Sequence, residues 1–190
     1  MTNGYGNWLM PPDKSPPPPI DLANVDRMKK TPGQITVPQG VPFEWSGGDK
    51  NIAFTSQWDN WPKTVTVPVK RQAEALWFLV CGSTNPMQTR IANAELRMVY
   101  ADGVVEKLEL VPPLNFWNLC AIDGQDYDYP RLAFCLPKIP PATVQLGAHC
   151  RAMLLNWRLR PRVALNTITL AALSEEIVIG LMGVTLMNAS

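Results

Sequence analysis

The residues best suited to chemistry are tryptophans that stand beside carboxylates and amides in one short segment. Positions 57–62 read Gln-Trp-Asp-Asn-Trp-Pro, and another tryptophan opens the stretch Trp-Ser-Gly-Gly-Asp shortly before them. An indole face stacks on the apolar C–H face of a sugar ring, while carboxylates and amides accept hydrogen bonds from its hydroxyls. The predicted sugar-binding residues are Trp45, Trp58, Asp59, Asn60 and Trp61. The alternative is that Trp58 or Trp61 fills the core, because tryptophan is highly buried on average.

A second group of aromatic and acidic residues lies between positions 115 and 129. Its aromatic members Trp117, Tyr127 and Tyr129 extend the predicted sugar-binding surface. Its aspartates resemble a hard-cation site, since calcium takes roughly six to eight oxygen ligands. The predicted calcium ligands are Asp123, Asp126 and Asp128, and we expect no other cofactor. Their spacing differs from that of an EF-hand, so an ordinary solvated acidic loop is the alternative.

Candidates for catalysis are few. His149 is the single histidine, which excludes sites that need two histidine ligands or bases. It stands next to Cys150, and adjacent residues on a strand point to opposite faces, which disfavours a Cys-His pair. A glycosidase needs two carboxyl groups roughly 5 to 10 Å apart, and the sequence does not show which carboxylates face each other. We therefore assign no catalytic residue and favour a protein that is not an enzyme, with a glycoside hydrolase as the alternative.

Composition and charge exclude several partners. The chain has 190 residues, 46% of them hydrophobic, and 17 Lys+Arg against 16 Asp+Glu give a net charge of +1. Because no strong positive field surrounds such a chain, we expect no nucleic-acid partner. The longest apolar run, Ile177–Met187, is too short to span a bilayer, and residues 1–19 lack the pattern of a signal peptide. We expect no membrane insertion, and a secreted or periplasmic location as part of a longer protein.

The four cysteines have no C-x-x-C pair, which argues against a zinc knuckle or a thioredoxin-type motif. Free cysteine is among the most buried residue types, so we expect buried thiols. The alternative is one disulfide, between Cys120 and Cys135.

The elements that must position these residues are mostly strands. Val65, Val67 and Val69 alternate with Thr64, Thr66 and Pro68. Because Pro68 lacks an amide donor, we expect that this strand lies at a sheet edge or ends there. The apolar run Ala75–Cys81 predicts a central strand that is covered on both faces.

Later segments continue the pattern. Alternating residues on both sides of Asp102-Gly103 predict a hairpin, from position 92 to position 111. Met153–Leu159 predicts a half-buried strand with a basic outer face. Two more strands follow, near Thr167–Ala172 and Ile177–Met187, and the glycines of the last one indicate a bulge or a close backbone contact.

These strands together predict an all-β fold, an antiparallel two-sheet jelly-roll sandwich with a proline-rich N-terminal arm. The sandwich is expected to occupy residues 35–188. Residues 1–34 form the arm or linker, where Pro16–Pro19 favour polyproline II and Leu22–Lys30 allows a short helix.

Several short segments occur in an order that is typical of one family. They are Gly40–Phe43, Asn51–Pro62, Leu76–Leu79, Tyr100–Gly103 and Val178–Leu186. This order resembles the galactose-binding-like β-sandwich domains appended to large bacterial proteins of the glycoside hydrolase type. The resemblance implies an accessory module that binds carbohydrate without catalysis or packs against a catalytic neighbour. The expected partners are therefore a polysaccharide or oligosaccharide and an adjacent catalytic domain.

Overall fold

A computed structural model describes residues 23–45, 52–57, 61–84, 88–117, 142–148, 150–175 and 177–188. In these ranges one short helix precedes twelve strands. The elements are α1 (Ala23–Met28), β1 (Lys29–Thr31), β2 (Gln34–Thr36), β3 (Pro42–Glu44), β4 (Ala53–Ser56), β5 (Thr64–Arg71), β6 (Ala75–Thr84), β7 (Ala94–Tyr100), β8 (Val105–Leu110), β9 (Thr143–Gln145), β10 (Arg151–Arg158), β11 (Leu165–Ala172) and β12 (Ile177–Met187). None of the described helical residues forms a segment long and apolar enough to cross a bilayer.

Two antiparallel sheets form the body of the domain. One has the strand order β4-β12-β6-β10-β9 and the other has the order β5-β11-β7-β8. Without the short edge strand β9, eight strands remain. Counted in chain order, β4, β12, β6 and β10 are the first, eighth, third and sixth of these strands, and they make one sheet. The other sheet consists of β5, β11, β7 and β8, which are the second, seventh, fourth and fifth. This is the jelly-roll arrangement of interleaved Greek keys, so the predicted all-β sandwich is confirmed.

The first core lies between these two sheets. Leu76 and Phe78 of β6 are fully buried in one cluster with Leu96 and Met98 of β7. Further residues of β8, β10, β11 and β12 complete this cluster. Inward side chains alternate along each strand, which is the period of two read from the sequence.

A second core covers the opposite face of the five-stranded sheet. Leu79 and Cys81 of β6 point to this side and pack in one cluster with Val25 and Met28 of α1 and Phe43 of β3. The covering layer consists of α1 and a three-stranded sheet with the order β1-β2-β3. The domain therefore has three layers where the sequence predicted two, and residues 23–34, assigned to the arm, contribute to its packing.

The best-defined local predictions are confirmed. β5, which contains Pro68, lies at the edge of its sheet, and β6 lies in the middle of the other sheet with both faces covered. β7 and β8 form the hairpin, and Gly103 in its turn has a φ of +83°. The pairing of β12 with β6 shifts between Leu181 and Gly183, which is the expected bulge.

Strand β10 differs from its prediction over its first half. Residues 152–155 are buried on both faces because α1 and the three-stranded sheet cover the side that we expected to face solvent. Only the end of the strand is half-buried as predicted, with Asn156 and Arg158 exposed and Trp157 packed against the first core.

The cysteines also differ from the expectation of buried thiols. Cys81 carries a thiol and is 1% exposed, as expected, but Cys150 is disulfide-bonded. The partner of Cys150 lies outside the described residues, as do Cys120 and Cys135.

Candidate functional site

Most of the predicted site residues fall outside the described ranges. These are Trp58, Asp59, Asn60, Asp123, Asp126, Tyr127, Asp128 and Tyr129, together with His149. Both the predicted calcium site and most of the predicted tryptophan loop therefore stay predictions. Within the described ranges, no group of three or more His, Cys, Asp or Glu side chains could hold a metal ion.

Three predicted aromatic residues are described, and two of them are buried. Trp45 and Trp117 are each 6% exposed, and Trp45 belongs to the second core. Neither indole presents an open stacking face, so their placement on an exposed loop surface is corrected. The physical reason for Trp45 is the third layer, because this residue directly follows β3 and packs beneath it.

Trp61 occupies an intermediate position between core and surface. Its ring is half-buried and packs against Phe54 of β4, with 5.3 Å between ring centroids and 58° between the ring planes. The Nε1 donor of Trp61 is buried and has no hydrogen-bond partner in the part of the chain that the structure describes. The following residue fixes the segment to the sheet, because Pro62 O accepts a 3.1 Å hydrogen bond from Ser56 N.

A groove of about 340 Å³ lies where the three layers meet. We call it the Glu44 groove. Its lining residues are Glu44, Trp45, Ala53, Val67, Leu181, Met182, Gly183 and Val184. They belong to β3, β4, β5 and β12 or directly follow one of these strands. The volume lies at the lower end of the range for small-molecule sites, roughly 300 to 1,000 Å³.

The sequence builds this groove through a glycine on the last strand. A Cβ atom on Gly183 would lie 2.7 Å from Cδ1 of Phe43, so only glycine lets the Phe43 ring approach β12 this closely. The Thr185 hydroxyl also donates a hydrogen bond to Pro42 O. These two contacts hold β3 against β12 and place the next residue, Glu44, at the groove.

The floor of the groove follows from unequal strand lengths. β12 runs to Met187, but β4 pairs with it only from Val178 to Leu181. Along this edge, no strand of the described chain pairs with β12 beyond Leu181. The bulge between Leu181 and Gly183 lies where the pairing with β4 ends. Val67 of the facing sheet closes the other side of the groove.

The chemistry of the groove is simple. Of the eight described residues that line it, seven are apolar and the eighth is Glu44, whose side chain is exposed. The Glu44 side chain makes no hydrogen bond or ion pair with any residue that the structure describes, although its backbone pairs with β2. The groove thus combines an apolar wall with one unpaired carboxylate, a strong acceptor for hydroxyl donors. No local sequence pattern predicts this groove, because its residues lie far apart in the chain.

A different polar cluster joins the two sheets near the hairpin turn. The Tyr100 hydroxyl donates a 2.7 Å hydrogen bond to Glu106 Oε2, which also accepts one of 3.1 Å from Trp157 Nε1. Arg160 N donates to the Tyr100 hydroxyl over 3.3 Å, and the Arg160 guanidinium contacts Asp102 at 2.7 Å. We call these five residues the tyrosine cluster.

The electrostatics of the tyrosine cluster follow from burial and charge. Burial, aided by the hydrogen bond to Glu106, raises the pKa of Tyr100 to about 12. The hydrogen bond from Arg160 lowers the pKa of Asp102. The polar groups of the cluster bind one another, so this arrangement serves structure better than ligand binding. The sequence predicted only a basic outer face for the strand over Met153–Leu159, which ends next to Arg160.

A third group of charges lies on the outer face of the four-stranded sheet. The Glu95 side chain is 5% exposed and pairs with Arg97 and, at 3.2 Å, with Lys107. Burial acts to raise the pKa of the Glu95 carboxyl, but the hydrogen bonds and charges of Arg97 and Lys107 outweigh it and lower the pKa. This carboxylate is engaged by its neighbours, whereas Glu44 is not.

Comparisons with known proteins give no independent assignment. No protein-family model, curated protein or solved structure matches the chain. A functional proposal must therefore rest on the geometry of the described residues.

Proposed function

We propose that this domain is a non-catalytic carbohydrate-binding accessory module that holds a sugar ring in the Glu44 groove. The observation that carries the proposal is an apolar wall beside a carboxylate that has no partner among the described residues, in a groove of about 340 Å³. Small-molecule sites are typically lined by apolar residues and contain a few polar groups that fix the orientation of the ligand.

The two parts of the groove match the two sides of a pyranose. The apolar face of the ring would pack on Val67 and Val184, which are half-buried, and neighbouring hydroxyls would donate hydrogen bonds to Glu44. A charge-assisted hydrogen bond contributes about twice as much as a neutral one, so a single carboxylate can orient the ring.

The same residues favour binding over hydrolysis. Hydrolysis of a glycosidic bond by the usual mechanism needs a pair of carboxyl groups. Glu44 is the one ionisable residue among the eight described residues that line the groove. The alternative of a small glycan hydrolase therefore has less support from this site than the accessory module.

The test is a glycan-panel binding assay combined with an assay for released reducing sugar. We expect binding without release. Glu44→Ala should weaken binding at least about tenfold, because it removes a charge-assisted hydrogen bond worth roughly 1.5 to 3 kcal/mol. Val67→Trp should block the groove, while melting curves show that both variants are folded.

The matched control is Glu109→Gln, an exposed carboxylate on β8 that does not line the groove. It should bind like the wild type. Binding that survives both Glu44→Ala and Val67→Trp would place the sugar elsewhere, and sugar release would favour the hydrolase.

A second function, docking against a catalytic neighbour, is favoured by exposed apolar side chains at one end of the sandwich. Ile91, Leu114 and Leu173 are 54%, 45% and 42% exposed. Their segments are joined by backbone hydrogen bonds, including Leu173 N to Asn93 O at 2.8 Å. Exposed apolar patches mark interaction sites. If these side chains dock a partner, the isolated domain should self-associate through them. Replacing all three by serine should then abolish self-association in light scattering without changing glycan binding.

A further inference from the structure

We propose that Glu44 makes the groove selective by charge, so that it accepts neutral sugars and rejects anionic ones such as uronates and sulfated sugars. This inference rests on the proposed function and adds the class of sugar that the groove would take.

The first argument is the charge of the groove itself. An anionic sugar needs a cation or a set of backbone donors to replace its water of hydration, and none of the eight lining side chains is cationic. The carboxylate of Glu44 has no cationic partner among the described residues, so its negative charge is not neutralised within the groove.

The second argument is that cations which pair with carboxylates elsewhere in the described chain do not line the groove. Arg97 and Lys107 pair with Glu95 on the outer face of the other sheet. Arg160 pairs with Asp102 near the hairpin turn. None of these three cations lines the groove, so they do not offset the charge of Glu44 there.

The size of the effect follows from Coulomb's law. A sugar carboxylate held roughly 6 Å from Glu44 is repelled by it. The repulsion energy is lowest when water separates the charges and higher when the site is partly buried, and these two cases are its limits. These limits correspond to roughly threefold and roughly hundredfold weaker binding, and a groove open to solvent lies near tenfold. Salt should reduce this discrimination, because the Debye length falls from about 30 Å at 0.01 M to about 3 Å at 1 M.

The test uses matched sugar pairs in which one member has a neutral hydroxymethyl group at C6 and the other has a carboxylate there. Oligosaccharides of glucose, galactose and mannose are compared with the same hexoses oxidised at C6 to uronates, at low and at high salt. We expect the wild type to bind the neutral member of its preferred pair about tenfold more tightly. Glu44→Gln, which keeps the shape and removes the charge, should reduce this ratio to about twofold, as should high salt. Glu109→Gln should keep the full ratio.

The outcomes separate this inference from the proposed function. If neutral and anionic members bind equally to the wild type, or the ratio is unchanged in Glu44→Gln, charge selection by Glu44 is wrong although the domain still binds sugar. If no member of any pair binds, the proposed function fails and the inference fails with it. Preference for the uronate would overturn the inference directly.

Discussion

The substitution Tyr100→Phe tests whether the tyrosine cluster connects the two sheets of the sandwich. Tyr100 is 1% exposed, so the change removes one buried oxygen and leaves the ring packing intact. The hydroxyl donates to Glu106 at 2.7 Å and accepts from Arg160 N at 3.3 Å. The first of these is a hydrogen bond to a charged group, which contributes roughly 1.5 to 3 kcal/mol.

We therefore expect Tyr100→Phe to lower the free energy of unfolding by about 2 kcal/mol. For a domain of this size the melting temperature should fall by roughly 4 to 8 °C. The assay is urea unfolding followed by tryptophan fluorescence, with the m value unchanged. Thr66→Val is the matched control, because it removes an exposed hydroxyl that lies 2.9 Å from Thr169 Oγ1. It should cost less than about 0.5 kcal/mol.

The pH dependence of the free energy of unfolding, compared between the wild type and Tyr100→Phe, gives a second test of the Tyr100 hydroxyl. The folded-state pKa of Tyr100 is about 12, above the ordinary value of 10.0. A raised folded-state pKa contributes stability that is fully present below pH 10 and is lost as the pH rises through about 12. The stability difference between the wild type and Tyr100→Phe should therefore shrink over this window. The shift corresponds to about 3 kcal/mol, the same order as the loss expected at neutral pH.

A double-mutant cycle decides whether the hydroxyl acts through Glu106. Tyr100→Phe should cost less in the background of Glu106→Gln than in the wild type, because the charged acceptor is already gone. A loss below about 0.5 kcal/mol, or an equal loss in both backgrounds, would refute the reasoning.

Two further substitutions probe buried contacts. Gly82→Ala would place a Cβ 2.6 Å from Phe116 Cζ and 2.8 Å from the backbone oxygen of Val178, and the backbone cannot move easily. We expect the free energy of unfolding in urea to fall by about 2 to 3 kcal/mol. An unchanged midpoint would contradict this close packing. Glu95→Gln should cost about 1 to 2 kcal/mol at neutral pH, because it removes the charge that Arg97 contacts. Since the folded-state pKa of Glu95 is lowered from 4.5, its contribution is present above pH 4.5 and is lost as the pH falls below it. Unfolding curves from pH 7 to pH 3 should show the two proteins converging.

Local sequence patterns predicted a strand well where its place in the sheet depends on its own residues. The β7–β8 hairpin follows from alternation and from Asp102-Gly103, whose glycine adopts the positive φ that the turn needs. Pro68 marked an edge strand because it has no amide donor for a second neighbour. The apolar run of β6 marked a central strand because both of its faces need covering.

The third layer was missed because its cause is not local. The proline-rich composition of the first residues suggested a linker up to residue 34, yet Val25 and Met28 are three residues apart, the spacing of one face of a helix. Two apolar residues do not reveal which surface they meet. The sequence also could not place Trp45, since its burial depends on the layer that β1, β2 and β3 form above the sheet.

The Glu44 groove illustrates the same limit for function. Its residues come from positions 44–45, 53, 67 and 181–184, and only the jelly-roll order brings these segments together. Each segment alone has an ordinary structural explanation: a strand end, an edge strand and a bulge. The groove arises because β4 is shorter than β12 and because Gly183 lets β3 approach that strand through Phe43. The layer that buries most of the Trp45 ring therefore also positions the carboxylate of Glu44 at the groove, so one packing arrangement sets the place of both residues.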